Sequence, residues 1–541
     1  LYFIALHTHR KQTFKRDRHM PSSLHYMSAA DVPSIPASSP SYFKGPFTFY
    51  NREYFIIAFR TTPEAIAKAL PEPIKPVGDN IVLYEFMNMP DSPGLGSYSE
   101  TGVLIPGIFQ GREVNFTSQM YLNSEPAIYA GREIWGFPKK RGDPLLHAEE
   151  DTLVGSLHMN GKLVALGTMP YKAEAILPKH NHEQHPEALA LIMKKLTKAQ
   201  LNLKVIPSVD GTDDIRQLIE YVPQVIGVQE AWKGPARLDL HPHVEANVAD
   251  FPILEVIGGT HMLADIILPY GKIVHDYLAV GSPVSRSAEP VVTPSIPMVS
   301  PSYDGHAQHL FYNREHMVVS CRTTKEAIAS ALPSPLEADG DVIQFSFMAM
   351  KDSPGLGSYT ETSVRIPCTF RGQKVTFVNQ VYSNSSASQY GGRELWGLPM
   401  KRGDTELVAE EDTLVGRLRY GRHEVALATM PYKCGVVMAK HERNEELEEK
   451  LKADFSVPRV SLKIMPDVNG TTARRQLVLN TPKILRVQEA WSGPARIELV
   501  PHVNAPIADF PIVETLGALH FICDMALPLG SIIHDYLHTE Q

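Results

Sequence analysis

The sequence DSPGLGSY at Asp91–Tyr98 occurs a second time, letter for letter, at Asp352–Tyr359. Other segments recur on both sides of it and in the same order. The matched pairs are FYNRE from Phe49 and Phe311, EDTLVG from Glu150 and Glu411, TMPYK from Thr168 and Thr429, and EAW.GPAR from Glu230 and Glu489. The four tryptophans also fall in matched pairs, as expected if one packed core is built twice. The chain therefore contains two copies of one domain in tandem.

The segment between the two copies, Val280–Pro301, is rich in Pro and Ser. Such a composition favours an extended, semi-rigid connection. We therefore place the first domain at residues 37–279, a linker at 280–297 and the second domain at 298–541. Residues 1–36 precede the repeat and carry a basic bias that weakly resembles a transit peptide, and we expect them to form a disordered extension.

Short segments in each copy alternate between apolar and polar residues, or run apolar over strand-like lengths, between turns. Examples are TLVGSLHM from Thr152, KLVALGTM from Lys162 and NLKVIP from Asn202. Helical signals are fewer. Thr62 and Pro63 fit the cap and first turn of a helix over Thr62–Ala69, and a second helix is expected over Pro186–Leu196. The predicted fold class is α+β, with an antiparallel β core and peripheral helices, duplicated in tandem.

Composition narrows the classes of partner. The formal charge of −8 gives no basic field for a polyanion, which argues against nucleic acid. No apolar run is long enough to cross a bilayer, so no membrane partner is expected. The 4 cysteines all lie in the second copy and lack the paired spacing of metal ligands, which favours a reducing compartment. We expect a cytoplasmic protein that binds a small molecule.

The segment GREIWGFPKKRGD, Gly131–Asp143, leads from aromatic residues and a proline into two adjacent lysines, Lys139 and Lys140. A lysine amine has an ordinary pKa of ~10.4, so only about one in 2,500 is unprotonated at pH 7. Burial or a neighbouring cation lowers that pKa and makes the amine a nucleophile. Taken alone, however, the dipeptide favours a solvated pair on a surface turn.

A longer series of motifs changes that interpretation. The series is SPSYFKGPFTFYNREYF, LPEPI, FMNMPDSPGLGSYSE, YLNSEPAIYAGRE, FPKK, DTLVG, EAWKGPARL and ADIILP. In these motifs the first copy resembles the acetoacetate decarboxylase family along essentially its whole length. So many motifs in one order are specific, whereas FPKK by itself is weak. Acetoacetate decarboxylase is itself a standard example of a lysine activated by desolvation or a neighbouring cation.

The resemblance implies a cofactor-independent decarboxylase of acetoacetate or a related β-keto acid, with no metal. It makes Lys139 the imine-forming lysine, Lys140 its neighbour, and Arg52, Glu85 and Glu100 the polar residues of the pocket. The glutamates are candidates for proton transfer and substrate placement, and the arginine for steering the anion. Since side chains alternate along an extended segment, the two ammonium groups are expected to lie apart. We expect burial to lower the pKa of Lys139 more than its neighbour's charge does.

The second copy departs from the motif at two positions. It reads GRELWGLPMKRGD, with Met400 in place of Lys139 and Ser346 in place of Glu85, and a thioether cannot form an imine. The polar residues that persist are Arg314, Glu361 and Lys401. We expect this copy to be inactive and to bury a face of the first copy in a pseudo-dimer, since the family forms homo-oligomers and further assembly stays open. Binding a ligand without reaction is the alternative.

Two other functions stay open. The same imine could serve a Schiff-base aldolase or dehydratase acting on a keto acid, or the tandem could be a non-catalytic binding or scaffold protein. Retention of all four pocket residues in the first copy argues against a scaffold. His180, His182 and His185 lie in a polar loop that the second copy lacks, so no metal site is expected there. GLGSY lacks the continuation of a phosphate loop and predicts a tight turn before Glu100.

Overall fold

The computed structural model describes residues 32–179, 182–279, 294–305, 308–441 and 444–538. Each copy contains a large sheet of twelve strands and a small sheet of four strands, with the same strand order in both copies. The predicted fold class, a strand-rich α+β domain in tandem, is confirmed. The predictions for residues 1–31, His180 and most of the linker lie outside the described residues.

The strands of the first copy are β1 (Phe47–Arg60), β2 (Lys75–Pro76), β3 (Ile81–Ser92), β4 (Gly96–Phe109), β5 (Arg112–Leu122), β6 (Lys139–Arg141), β7 (Asp143–Glu149), β8 (Thr152–Met159), β9 (Lys162–Pro170), β10 (Glu174–Leu177), β11 (Gln200–Pro207), β12 (Asp213–Tyr221), β13 (Gln224–Gly234), β14 (Arg237–Leu240), β15 (Glu255–Leu268) and β16 (Lys272–Asp276).

The strands of the second copy are β17 (His309–Arg322), β18 (Leu336–Ala338), β19 (Val342–Ser353), β20 (Gly357–Phe370), β21 (Gln373–Ser383), β22 (Met400–Arg402), β23 (Asp404–Glu410), β24 (Thr413–Tyr420), β25 (His423–Pro431), β26 (Gly435–Met438), β27 (Arg459–Pro466), β28 (Thr472–Asn480), β29 (Lys483–Gly493), β30 (Arg496–Leu499), β31 (Glu514–Leu527) and β32 (Ser531–Asp535).

The α-helices are α1 (Pro63–Ala69), α2 (Glu125–Ala130), α3 (Pro186–Leu196), α4 (Lys325–Ala331), α5 (Ser386–Glu394) and α6 (Glu445–Phe455). Thr62 caps α1 by accepting a hydrogen bond from the backbone N–H of Ala65, and α3 has the predicted bounds. A π-helical turn, Gly131–Trp135, follows α2. In the described part of the chain, no helix has the length and apolar character needed to span a bilayer.

The main path of the large sheet in the first copy runs β10-β13-β15-β1-β3-β4-β5-β11-β12-β16, with β2 beside β4 and β6 beside β5. Neighbouring strands are antiparallel, except that β6 and β11 pair with β5 in parallel. The small sheet runs β14-β9-β8-β7. The predicted antiparallel core therefore carries two parallel pairings beside β5.

The small sheet packs on one face of the large sheet. Phe55, Ile57 and Phe86 are fully buried between the two sheets. A Cβ on Gly167 of the small sheet would lie 2.6 Å from the Phe86 ring and 2.7 Å from Ile57, so only glycine permits this approach. The opposite face of the large sheet is left for a cavity.

Each copy has an N-terminal arm, residues 32–41 in the first copy and 294–302 in the second, and the two arms are exchanged between the copies. Val32 and Ile35 are 1% and 0% exposed and pack in the core of the second copy, so the expectation of disorder is wrong for residues 32–36. Ile296, expected in the linker, packs in the core of the first copy. Both arms contain the sequence PSIP, so the repeat begins before the predicted boundaries at 37 and 298.

Two buried arginines hold the exchanged arms. Arg393 of the second copy donates a hydrogen bond from Nη1 to the carbonyl oxygen of Ile35 at 2.8 Å. Arg132 of the first copy donates from Nη1 to the carbonyl oxygen of Ile296 at 2.8 Å. The copies therefore form a pseudo-symmetric pair in which each one completes the other's core.

Candidate active site

A cavity of about 380 Å³ lies on the face of the large sheet that the small sheet leaves free. Alternate residues of several strands line it, because side chains two positions apart on a strand share a face. Arg52 of β1, Glu85 of β3, Glu100 of β4 and Lys139 of β6 all reach this cavity. Four of the five site residues predicted from the sequence are therefore brought together.

Strand register places the two glutamates side by side. Glu85 of β3 lies opposite Gly102 of β4, and Met87 lies opposite Glu100. Glu85 and Glu100 are thus diagonal neighbours on one face of the sheet, within reach of each other's charge. Gly94 in the turn between the strands and Gly96 at the start of β4 have φ of 82° and 84°, in keeping with the tight turn that the GLGSY segment predicts.

Lys139 is buried in the cavity wall, with 7% of its side chain exposed. Its Nζ lies 3.0 Å from Oε2 of Glu100 and 5.0 Å from the centroid of the Phe137 ring. Burial lowers the pKa of Lys139, Glu100 opposes that change, and the positive charge of Arg52 lowers the pKa further. The amine is therefore easier to deprotonate than a surface lysine.

Glu85, like Lys139, has a shifted pKa. Burial raises the pKa of Glu85 to about 7, with Arg52 lowering it and Glu100 raising it. A carboxyl group with this pKa exists in both protonation states near neutral pH, which suits a general acid or base. Glu85 thus has a pKa suited to proton exchange near neutral pH, whereas Glu100 is the carboxylate that contacts Lys139.

Arg52 carries a positive charge at the same cavity. Its Nη2 donates to the thioether sulfur of Met87 at 2.9 Å, and its guanidinium lies 4.6 Å from the centroid of the Tyr54 ring. A thioether is a weak acceptor, and Arg52 Nε has no hydrogen-bond partner among the described residues. The guanidinium therefore keeps hydrogen-bonding capacity for an anionic ligand.

Lys140 does not line the cavity. It follows Lys139 on β6 and points to the opposite side, where its Nζ lies 2.5 Å from Oε2 of Glu245. The same Nζ lies 3.2 Å from Oγ of Ser300, which belongs to the exchanged arm of the second copy. The structure thus places Lys140 at the junction between the copies.

Two positioning residues were missed by the sequence analysis. A Cβ on Gly131 would lie 2.6 Å from Cδ and 2.9 Å from Cε of Lys139, so the absence of a side chain makes room for the lysine. Arg132 donates from Nη1 to the carbonyl oxygen of Lys139 at 3.0 Å. The GRE triplet that recurs in both copies was the available signal, but it does not reveal which backbone these residues contact.

The equivalent cavity of the second copy is smaller, about 80 Å³. Met400 contributes to its lining where the first copy has the lysine, and Ser346 is fully buried. Lys401 points away, as Lys140 does, and its Nζ donates to Oγ of Ser39 at 2.6 Å and to the carbonyl oxygen of Asn504 at 2.8 Å. In this copy, therefore, Lys401 lies outside the cavity.

No group of three or more His, Cys, Asp or Glu residues suited to holding a metal ion occurs within the described ranges. The first cavity offers the buried amine of Lys139, two carboxyl groups, one guanidinium and three tyrosine hydroxyls, and two less buried lysines, Lys195 and Lys198, also line it. An amine of this kind can attack a carbonyl carbon, and the carboxyl groups can exchange protons with the product.

The family model for acetoacetate decarboxylase matches residues 31–278 and 295–537. Acetoacetate decarboxylase 2 of Mesorhizobium japonicum is 44% identical over 250 residues, 46% of this chain and 91% of that protein. The acetoacetate decarboxylase of Acidiphilium cryptum is 44% identical over 246 residues, 46% of this chain and 96% of that protein. The crystal structure of the acetoacetate decarboxylase of Legionella pneumophila is 40% identical in sequence and has a TM-score of 0.41. The match covers 44% of this chain and 91% of the Legionella chain. The chain therefore belongs to the acetoacetate decarboxylase family of carboxy-lyases, whose domain it contains twice.

Proposed function

We propose that the first copy decarboxylates acetoacetate or a related β-keto acid through an imine on Lys139. The observation that carries the proposal is the position of a buried amine, 3.0 Å from Glu100, in a cavity that Glu85 and Arg52 also line. Arg52 offers the substrate carboxylate an opposite charge in the same cavity.

The reaction begins with attack of the neutral Nζ of Lys139 on the ketone carbon, which forms a C–N bond. The resulting hydroxyl group leaves as water after accepting a proton, and a protonated imine remains. Glu85 supplies this proton, because its raised pKa of about 7 keeps part of it protonated near neutral pH. Arg52 holds the substrate carboxylate during this step.

The protonated imine then accepts the electron pair of the breaking C–C bond, and carbon dioxide leaves. An enamine remains on Lys139. Solvent reprotonates Glu85 after the first step, and the enamine carbon then takes this proton to give a protonated imine. Water adds to this imine and returns one proton to Glu85, and the ketone leaves as the neutral amine is freed, so each turnover consumes one proton from solvent. Burial in this cavity favours loss of the carboxylate. Removing an anionic carboxylate from water costs free energy, whereas removing neutral carbon dioxide from water does not.

The cavity accommodates more than acetoacetate. One water molecule needs roughly 10–15 Å³ of such space, so about 380 Å³ exceeds what the few heavy atoms of acetoacetate require. Apolar side chains, among them Leu83, Leu104, Ile192 and Met262, supply much of the wall. The proposed substrate class therefore includes β-keto acids with longer apolar chains.

Reductive trapping tests the proposal. The protein is incubated with acetoacetate and borohydride, the adduct is located by peptide mass, and carbon dioxide is measured in parallel without reductant. We expect the adduct on Lys139 and gas release, and we expect Lys139→Met to abolish both. Lys140→Met is the matched control and retains an adduct on Lys139, because its Nζ lies outside the cavity.

Each other outcome identifies a different function. An adduct without carbon dioxide release favours an aldol-type or dehydration reaction through the same imine. Absence of any adduct, with acetoacetate binding retained, favours a binding protein. Unchanged turnover in Lys139→Met contradicts the proposal directly.

A further inference from the structure

The cavity of the second copy has acquired two arginines. Arg365 of β20 occupies the position that Leu104 occupies in β4, and Arg459 of β27 occupies the position of Gln200 in β11. Both line the cavity of about 80 Å³ together with Arg314. Three guanidinium groups therefore line the second cavity, whereas Arg52 is the one guanidinium among the described residues that line the first.

Only one carboxylate among the described lining residues faces these three cations. Nη2 of Arg314 lies 3.7 Å from Oε2 of Glu361, and Oε1 of Glu361 already accepts a hydrogen bond from Ser388 at 2.9 Å. Arg365 and Arg459 form no ion pair with any residue in the described ranges. The lining thus has an excess of positive charge, which is costly in a partly buried space unless an anion compensates it.

The guanidinium groups also have poor hydrogen-bond acceptors. Arg314 and Arg365 donate to the thioether sulfur of Met348 at 3.1 and 3.2 Å. Within the described part of the chain, Nε of Arg314 and Oγ of Ser363 are buried without a hydrogen-bond partner. Thioethers are weak acceptors, so several donors at this cavity have no strong partner in the protein.

Burial and the positive charges of neighbouring arginines lower the pKa values of Arg365 and Arg459. Burial and then the charge of Arg314 lower the pKa of Arg459 to about 10. Burial and then the charges of Arg459 and Arg314 lower the pKa of Arg365 well below its usual range. The three side chains therefore share one electrostatic environment.

We infer that the cavity of the second copy is a binding site for a small dianion, either a dicarboxylate or a phosphate, held by Arg314, Arg365 and Arg459. Guanidinium groups bind carboxylate and phosphate oxygens through paired, charge-assisted hydrogen bonds. At roughly 10–15 Å³ per water-sized group, about 80 Å³ holds an anion of roughly five to eight heavy atoms. Met400 cannot form an imine, so the anion is bound and not transformed.

Calorimetric titration of the full chain with sodium malonate and with sodium phosphate tests the inference, with sodium chloride at equal ionic strength as the control. We expect saturable binding of at least one dianion and none of chloride. Stronger binding of malonate identifies a dicarboxylate site, and stronger binding of phosphate identifies a phosphate site.

The first copy supplies the diagnostic variant, Arg365→Leu/Arg459→Gln, which restores the residues found at Leu104 and Gln200. We expect at least a tenfold rise in the dissociation constant of the dianion. Without added anion this variant should melt at or above the temperature of the parent protein, because two poorly compensated charges are gone. Arg422→Gln, in an exposed turn of the second copy, changes surface charge and should leave binding unchanged.

Three results overturn the inference. They are absence of dianion binding by the parent protein, unchanged binding by the double variant, and equal weakening by Arg422→Gln. None of these measurements requires decarboxylase activity, so the inference stands or falls independently of the proposed function.

Discussion

Arg132 of the first copy and Glu394 of the second form a buried ion pair with two hydrogen bonds, from Nε to Oε1 at 2.6 Å and from Nη2 to Oε2 at 2.9 Å. The same arginine donates to the carbonyl oxygen of Lys139. A mirror pair joins Arg393 to Glu133, and Arg393 donates to the carbonyl oxygen of the residue at position 400. The second copy therefore supports the backbone of the proposed nucleophile in the first copy.

Glu394→Ala should lower both stability and turnover. Removing one partner of a buried ion pair costs about 3–5 kcal/mol, because the remaining charge stays buried and unpaired. Arg132 then loses its fixed position under Lys139, and we expect kcat to fall at least tenfold. Urea unfolding and steady-state kinetics measure the two effects.

Glu133→Ala is the matched control for that variant. It breaks the mirror pair and should cost similar stability, but Arg393 supports a methionine backbone instead of Lys139. We therefore expect a much smaller loss of kcat. Equal losses of kcat in Glu394→Ala and Glu133→Ala would show that the pairs act on activity only through general stability.

Gly131→Ala should impair the site without changing any charge. The added methyl group meets Cδ and Cε of Lys139 within 3 Å and displaces the amine from Glu100. We expect at least a tenfold loss of kcat and slower trapping by borohydride. Gly392→Ala, the equivalent change in the second copy, crowds Met400 and should leave turnover close to that of the parent protein.

Glu85→Gln should change the pH dependence of stability. The pKa of Glu85 is raised from 4.5 to about 7, so between these values the folded state holds a proton that the unfolded chain has lost. Raising the pH through this window therefore destabilises the parent protein, by up to ~3 kcal/mol. Glutamine does not titrate, so Glu85→Gln escapes this loss. We expect the free energy of unfolding of the variant, relative to that of the parent protein, to increase as the pH rises from about 5 to 8.

The glutamine variant has a surface control. Glu337→Gln removes the same charge from an exposed residue of β18 and should show a far smaller change over that pH range. If Glu85→Gln and Glu337→Gln behaved alike, Glu85 would not have the buried environment that its proposed role as proton donor requires.

Met400→Lys should not create a second decarboxylation site. The new amine would lie in a small cavity with Arg365 and Arg459 and without a carboxyl group at Ser346. In a Lys139→Met background we expect no carbon dioxide release from acetoacetate. Turnover by this double variant would show that the acid at position 85 is dispensable.

The residue pattern alone was sufficient to find the duplication and the strand-rich class, whereas the four residues of the first cavity were named from the resemblance to the family. Strand alternation has a period of two, which is why Arg52, Glu85 and Glu100 fall on one face once their strands pair. The same alternation separates Lys139 from Lys140. Local sequence therefore explains how the side chains are distributed between the faces, but it did not by itself identify the site.

Tertiary structure alone decided which copy each arm joins, and which residues surround the second cavity. Both arms contain the sequence PSIP, so no local signal distinguishes the core that each arm joins. Arg132 and Glu394 are 262 positions apart, and Arg365 and Arg459 lie on strands that β21 separates within the sheet. Contacts of this range depend on how complete sheets pack, which a pattern read along the chain does not contain.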